Sequence, residues 1–86
     1  MHTVKNENGT ARVQLMKTCP SHSAEGKKKV YNVYRGDRMF RVTVSYPHNK
    51  ISWLVQELDE YGKETIVKDE KAVNIISSFI TSCYHW

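Results

Sequence analysis

Residues 30–46, VYNVYRGDRMFRVTVSY, carry the pattern that decides the fold. Two runs rich in β-branched and aromatic residues meet at Arg35-Gly36-Asp37-Arg38. A Gly at the first position of a two-residue loop supplies the positive φ of a type II′ turn, whose twist suits a tight hairpin. With Gly36-Asp37 as the loop, Arg35 faces Arg38, Tyr34 faces Met39, Val33 faces Phe40 and Tyr31 faces Val42. Side chains alternate along a strand, so Tyr31, Val33, Phe40, Val42, Val44 and Tyr46 share a core face. Lys28, Asn32, Tyr34, Met39, Arg41, Thr43 and Ser45 fall on the other.

Outward from the hairpin, Pro47-His48-Asn49-Lys50 reads as a turn. Tyr46 then faces Ile51 and Val44 faces Trp53. This brings Ile51, Trp53 and Val55 to the core face, and Leu54, Gln56 and Leu58 to the outer one. Leu58 to Lys63 has the makings of a third hairpin turn, with Gly62 in the left-handed position, before a short strand from Glu64 to Val67. Upstream, Ala11, Val13 and Leu15 alternate with Arg12, Gln14 and Met16, the pattern of a half-buried first strand. Thr18 to Lys29 is a loop by composition. Residues 1–9 are expected to be a flexible end, leaving a single domain over 10–86.

The final segment changes period. Asp69 suits the N-cap of a helix and Glu70 its positive end. Ala72, Val73, Ile76, Phe79, Ile80 and Cys83 then form one apolar stripe. The opposite side, with Asn74, Ser77, Ser78, Thr81 and Ser82, is polar but uncharged, where a surface helix normally carries charge. It suggests a homodimer or groove contact, and a short terminal helix that needs no charge explains it equally. The expected architecture is α+β: an antiparallel meander of four or five strands with a C-terminal helix on one face.

Eighty-six residues make one modest core, burying about 60–65% of the unfolded surface. No apolar run is long enough to span a membrane, and the start MHTVKNENG carries no signal-peptide core. A soluble, cytoplasmic protein is expected, with no membrane partner and with Cys19 and Cys83 reduced. Residues 1–50 hold ten Lys and Arg against three acids, while residues 51–86 hold three Lys against six acids. A basic half in a chain of pI about 9.2 is the electrostatic footprint of a polyanion binder, although a net charge of +4 also suits a plain solvated surface.

The chemistry-bearing residues favour binding over catalysis. Cys19, His22, Cys83 and His85 offer zinc-type ligands, but the second pair is spaced more tightly than usual, so no metal and no cofactor is expected. No phosphate-cradling Gly loop, nucleophile elbow or H-E-x-x-H is present, and the chain is not expected to be an enzyme. A small basic ribonuclease using Tyr34, Arg41 and His48 is the catalytic alternative. Arg35-Gly36-Asp37 spells an adhesion tripeptide but serves the hairpin turn. Like charges facing each other at Arg35 and Arg38 either splay into water or hold a phosphate or an acidic partner group between them.

Two binding readings remain. Lys27, Lys28, Lys29, Tyr34, Arg35, Arg38 and Arg41 combine phosphate contacts with a stacking ring, the ingredients of single-stranded RNA binding. Tyr34, Met39, Leu54 and Leu58 instead make an apolar patch rimmed by arginines, the anatomy of a protein interface. The expected partner is therefore RNA or a nucleic-acid-handling protein complex.

The strand-strand-strand-helix order, with Lys68 and Lys71-Ala72 opening the helix, is a little similar to a double-stranded-RNA-binding domain. A strand-like segment replaces that family's N-terminal helix, however. In size and economy the whole chain resembles small phage-encoded anti-defence proteins, such as anti-CRISPR inhibitors and phage antitoxins. That resemblance implies a non-catalytic inhibitor acting on nucleic-acid machinery by mimicry, occlusion or RNA binding, and it assigns no residue.

Overall fold

A computed structural model describes residues 2–19, 28–45 and 51–83 of the chain. Six strands form one antiparallel sheet in the order of the sequence: β1 (His2–Asn6), β2 (Gly9–Cys19), β3 (Lys28–Arg35), β4 (Arg38–Ser45), β5 (Ser52–Leu58) and β6 (Glu64–Ile66). One helix follows, α1 (Glu70–Cys83). The α+β meander matches expectation, with one strand more than the four or five anticipated. The addition is β1, in the segment expected to be a flexible end. Residues 7 and 8 turn the chain, the Asn6 side-chain carbonyl accepts from the Asn8 amide at 2.8 Å, and Val4 lands opposite Ala11. Val4 is then buried, which a polar reading of the end does not anticipate.

The central register is as read from the sequence. Arg35 faces Arg38, Tyr34 faces Met39, Val33 faces Phe40 and Tyr31 faces Val42. Gly36 sits at φ +63°, the positive value that a tight two-residue hairpin requires of its first loop residue. Across the next pair, Val44 faces Trp53 and Ser45 faces Ser52, also as expected. The β5–β6 turn closes on Asp59, whose carboxylate accepts from the Tyr61 and Lys63 amides, each at 2.9 Å. Gly62 there takes φ +81°, as its left-handed role demands.

The helix begins where its cap residue predicts. The Asp69 side chain accepts from the Lys71 amide at 3.1 Å, and its carbonyl accepts the first helical bond from Val73. Ile76, Phe79 and Ile80 are buried against Val4, Ala11, Val13, Tyr31, Val33, Phe40, Val42, Val44 and Val55. Full burial of side chains of this size contributes about 1.5–3 kcal/mol each, so this one layer supplies most of the folding drive. Val73 and Cys83 flank it, half-buried. Ile51 departs from expectation. It is 48% exposed because it precedes β5, where ladder alternation no longer dictates its side. Tyr46, assigned to the same face, lies outside the described residues.

The uncharged side of α1 also has a partial explanation. Asn6 and Asn8 donate through their side-chain amides to the Ser78 hydroxyl, at 3.3 and 3.1 Å, and Asn6 also reaches Ser82 at 3.4 Å. The hydroxyls of Ser77, Ser78, Thr81 and Ser82 donate back to helix carbonyls three or four residues earlier. Small hydroxyls here let the β1–β2 turn approach, where a Lys or Glu would hold it off.

Candidate nucleic-acid interface on the open sheet face

The face of the sheet away from α1 is built in rows, because antiparallel partners sit side by side. One row runs Arg12, Tyr34, Met39, Leu58, Glu64 across β2 to β6. The next runs Gln14, Asn32, Arg41, Gln56, Ile66. Val30, Thr43 and Leu54 follow. Tyr34, Met39 and Arg41 thus stand together, opposite to the helix side, as the turn at Gly36 predicts.

Placed on this geometry, the sequence-assigned cations divide. Lys28, Tyr34 and Arg41 lie on the open face. Arg35 and Arg38 share the parity of Val33 and Phe40 and belong to the helix side. The two have separate partners. Arg35 donates to the Asn8 carbonyl at 3.1 Å and lies 5.9 Å from the Phe79 ring centroid. Arg38 clasps Glu57 through two bonds of 2.8 Å. Lys29 points to the helix side, and Lys27 lies outside the described residues. On the open face Arg41 pairs with Glu64. Arg12, absent from the sequence-stated set, stacks 5.6 Å from the Tyr34 centroid. Its place opposite Tyr34 depends on the β2–β3 register, which the intervening loop hides from a reading of the sequence.

Charge is segregated between the surfaces. Among the described side chains the open face carries Lys5, Arg12, Lys28 and Arg41 against the single carboxylate Glu64. Elsewhere the cations Lys29, Arg35, Arg38, Lys63, Lys68 and Lys71 are outnumbered by Glu7, Asp37, Glu57, Asp59, Glu60, Asp69 and Glu70. The basic excess of the described surface therefore sits on the sheet.

The apolar candidates are also on this face. Tyr34, Met39 and Leu58 are consecutive in one row and half-buried, while Leu54 is two rows away and 41% exposed. Between the rows lies a hollow of about 480 Å³ lined by Met16, Val30, Arg41, Thr43, Gln56 and Glu64. Met16 shares the open face with Arg12 and Gln14, and a bulge, a register shift between Leu15 and Lys17, leaves it unpaired and 50% exposed. Asn32 lies on the outer face as expected, yet it is only 4% exposed there, and its side-chain carbonyl meets no partner among the described residues.

Most members of the metal and catalytic constellations lie outside the described residues. Cys83 is a free thiol in α1, half-buried, and burial pushes its pKa up. The Cys19 side chain, His22 and His85 lie outside what is described, as does His48. Among the described residues no group of three His, Cys, Asp or Glu could hold a metal ion, and no helix is long and apolar enough to cross a membrane. No protein-family model, curated protein or solved structure matches the chain.

Proposed function

We propose that the protein is a non-catalytic binding module that engages single-stranded RNA on its open sheet face. The observation that carries this reading is the segregation of charge: Lys5, Arg12, Lys28 and Arg41 crowd a face with one carboxylate, and Tyr34 lies among them. Cations spaced over a flat sheet suit a phosphate backbone, and rings and thioethers between them suit unstacked bases. Its action is occlusion of RNA from a nuclease or toxin, the mode implied by the resemblance to small phage anti-defence proteins, in the cytoplasm.

Fluorescence anisotropy with a labelled single-stranded RNA of mixed sequence tests it. Affinity is expected to fall steeply as salt rises, because bound counterions are released. Arg12→Glu with Lys28→Glu abolishes binding, whereas Lys71→Glu, on the helix, leaves it intact. Absent or salt-independent binding overturns the reading.

A protein-directed inhibitor is the second reading, favoured by the unbroken row Tyr34, Met39, Leu58 and by Leu54 and Ile66, which are 41% and 53% exposed. It predicts a stoichiometric complex that survives both nuclease and high salt.

A further inference from the structure

The hollow on the open face has two chemically different ends. Met16 and Val30 wall one end with apolar atoms, and Arg41, Gln56 and Glu64 line the other. It crosses from β2 to β6, about 19 Å at the usual interstrand spacing. The Arg41–Glu64 pair is single-pronged: Nη1 of Arg41 bonds Oε1 of Glu64, and among the described residues nothing bonds Oε2. The two side chains are only 37% and 35% exposed, so they stand at the edge of the hollow and hold each other in place.

This arrangement presents, in order, a cationic donor, an acceptor already oriented by it, and a second acceptor. The Watson–Crick edges of the four bases respond differently. Guanine offers O6, N1–H and the 2-amino group, an acceptor followed by two donors. Uracil offers an acceptor at its third position, which would face Oε2 unfavourably. Adenine and cytosine put an amino donor where Arg41 also donates. A carboxylate that accepts two adjacent donors makes charge-assisted bonds that no other base supplies. The apolar wall is the second observation. Met16 shares the open face with Arg12 and Gln14 and stands beside Val30, where the bulge between Leu15 and Lys17 leaves it outside the ladder.

We infer that this hollow takes a guanine base of the bound RNA, with Glu64 accepting from N1–H and the 2-amino group and Arg41 donating to O6. The inference rests on the RNA reading above and adds base selectivity to it. A neighbouring base or sugar lies over Met16 and Val30.

The test uses labelled uridine oligomers carrying one central guanosine, inosine, adenosine or cytidine, measured by anisotropy against the full chain. The guanosine oligomer is expected to bind about tenfold more tightly than the adenosine and all-uridine ones. Inosine, which lacks the 2-amino group, loses most of that advantage without any change to the protein. Glu64→Gln, with its fold checked by circular dichroism, is expected to level the series. Equal affinity for all oligomers, or a guanosine preference that persists in Glu64→Gln or for inosine, overturns the guanine assignment while leaving RNA binding standing. Failure to bind every oligomer overturns both.

Discussion

Arg38 grips Glu57 with both prongs of its guanidinium, Nε to Oε2 and Nη2 to Oε1 at 2.8 Å each, while lying 5.1 Å from the centroid of Phe40. The contact ties β4 to β5 beside the first turn of α1. It also uses up a cation that the sequence offers for binding RNA. The Arg38 hydrogen bonds hold the Glu57 carboxyl below its ordinary range, against the opposing effect of partial burial.

A pH dependence follows from the direction of that shift. A carboxylate whose folded pKa lies below its unfolded value stabilises the fold at pH values above the unfolded pKa. That contribution disappears as pH falls through the lowered folded pKa. Arg38 is 59% exposed and Glu57 33%, so solvent screens the pair and it is worth no more than about 0.2–1 kcal/mol. Urea denaturation should show Glu57→Gln less stable than the parent at pH 7, the difference closing in acid and shrinking in high salt. An undiminished gap at pH 2 would mean that the side chain acts by packing rather than by charge.

The Asn6 and Asn8 contacts to Ser78 predict a local, not global, response to their removal. Ser78→Ala deletes the acceptor shared by both amides, each such bond being worth about 0.5–1.5 kcal/mol net. Amide exchange in β1, at Val4 and Lys5, should accelerate several-fold, with little change at Val33 or Val42 in the sheet centre. Uniform acceleration across all six strands would show that β1 and the core open as one unit.

Gly36 predicts a substitution series governed by backbone alone. A Cβ at this position would meet nothing within 4 Å, so sterics with the rest of the fold are not at issue. At φ +63° a β-branched side chain is strained, and Gly36→Val should cost about 1–2 kcal/mol in thermal melts. Gly36→Asn, whose side chain tolerates the left-handed region, should lose noticeably less. Equal losses for the two would point to a different turn geometry in solution.

Much of this molecule is legible without coordinates. Alternation about Gly36-Asp37 gave the register of β3 and β4 residue for residue, and the four-residue rhythm after Asp69 gave the helix, its cap and its buried stripe. These features are local: a two-residue loop permits few pairings, and a helix repeats its own period. The β1 strand was not legible, because Val4 is a lone apolar residue that becomes core only once Ala11 lies opposite it. The exposure of Ile51 was missed for the converse reason, since a residue just outside a strand escapes its alternation.

Charge partners belong to the tertiary structure. Arg35 and Arg38 look like a cationic pair in the sequence, yet one is engaged by a carbonyl twenty-seven residues away and the other by a carboxylate nineteen residues away. Long side chains reach across strands and around edges, so their partners depend on which strands are neighbours and on where a turn ends. The sequence by itself determined which residues alternate to the core and where the chain turns, through short-range sterics and hydrophobic period. Only the assembled sheet decided which cations remain on the open face, because the Arg38–Glu57 and Arg41–Glu64 pairs each join residues from different strands.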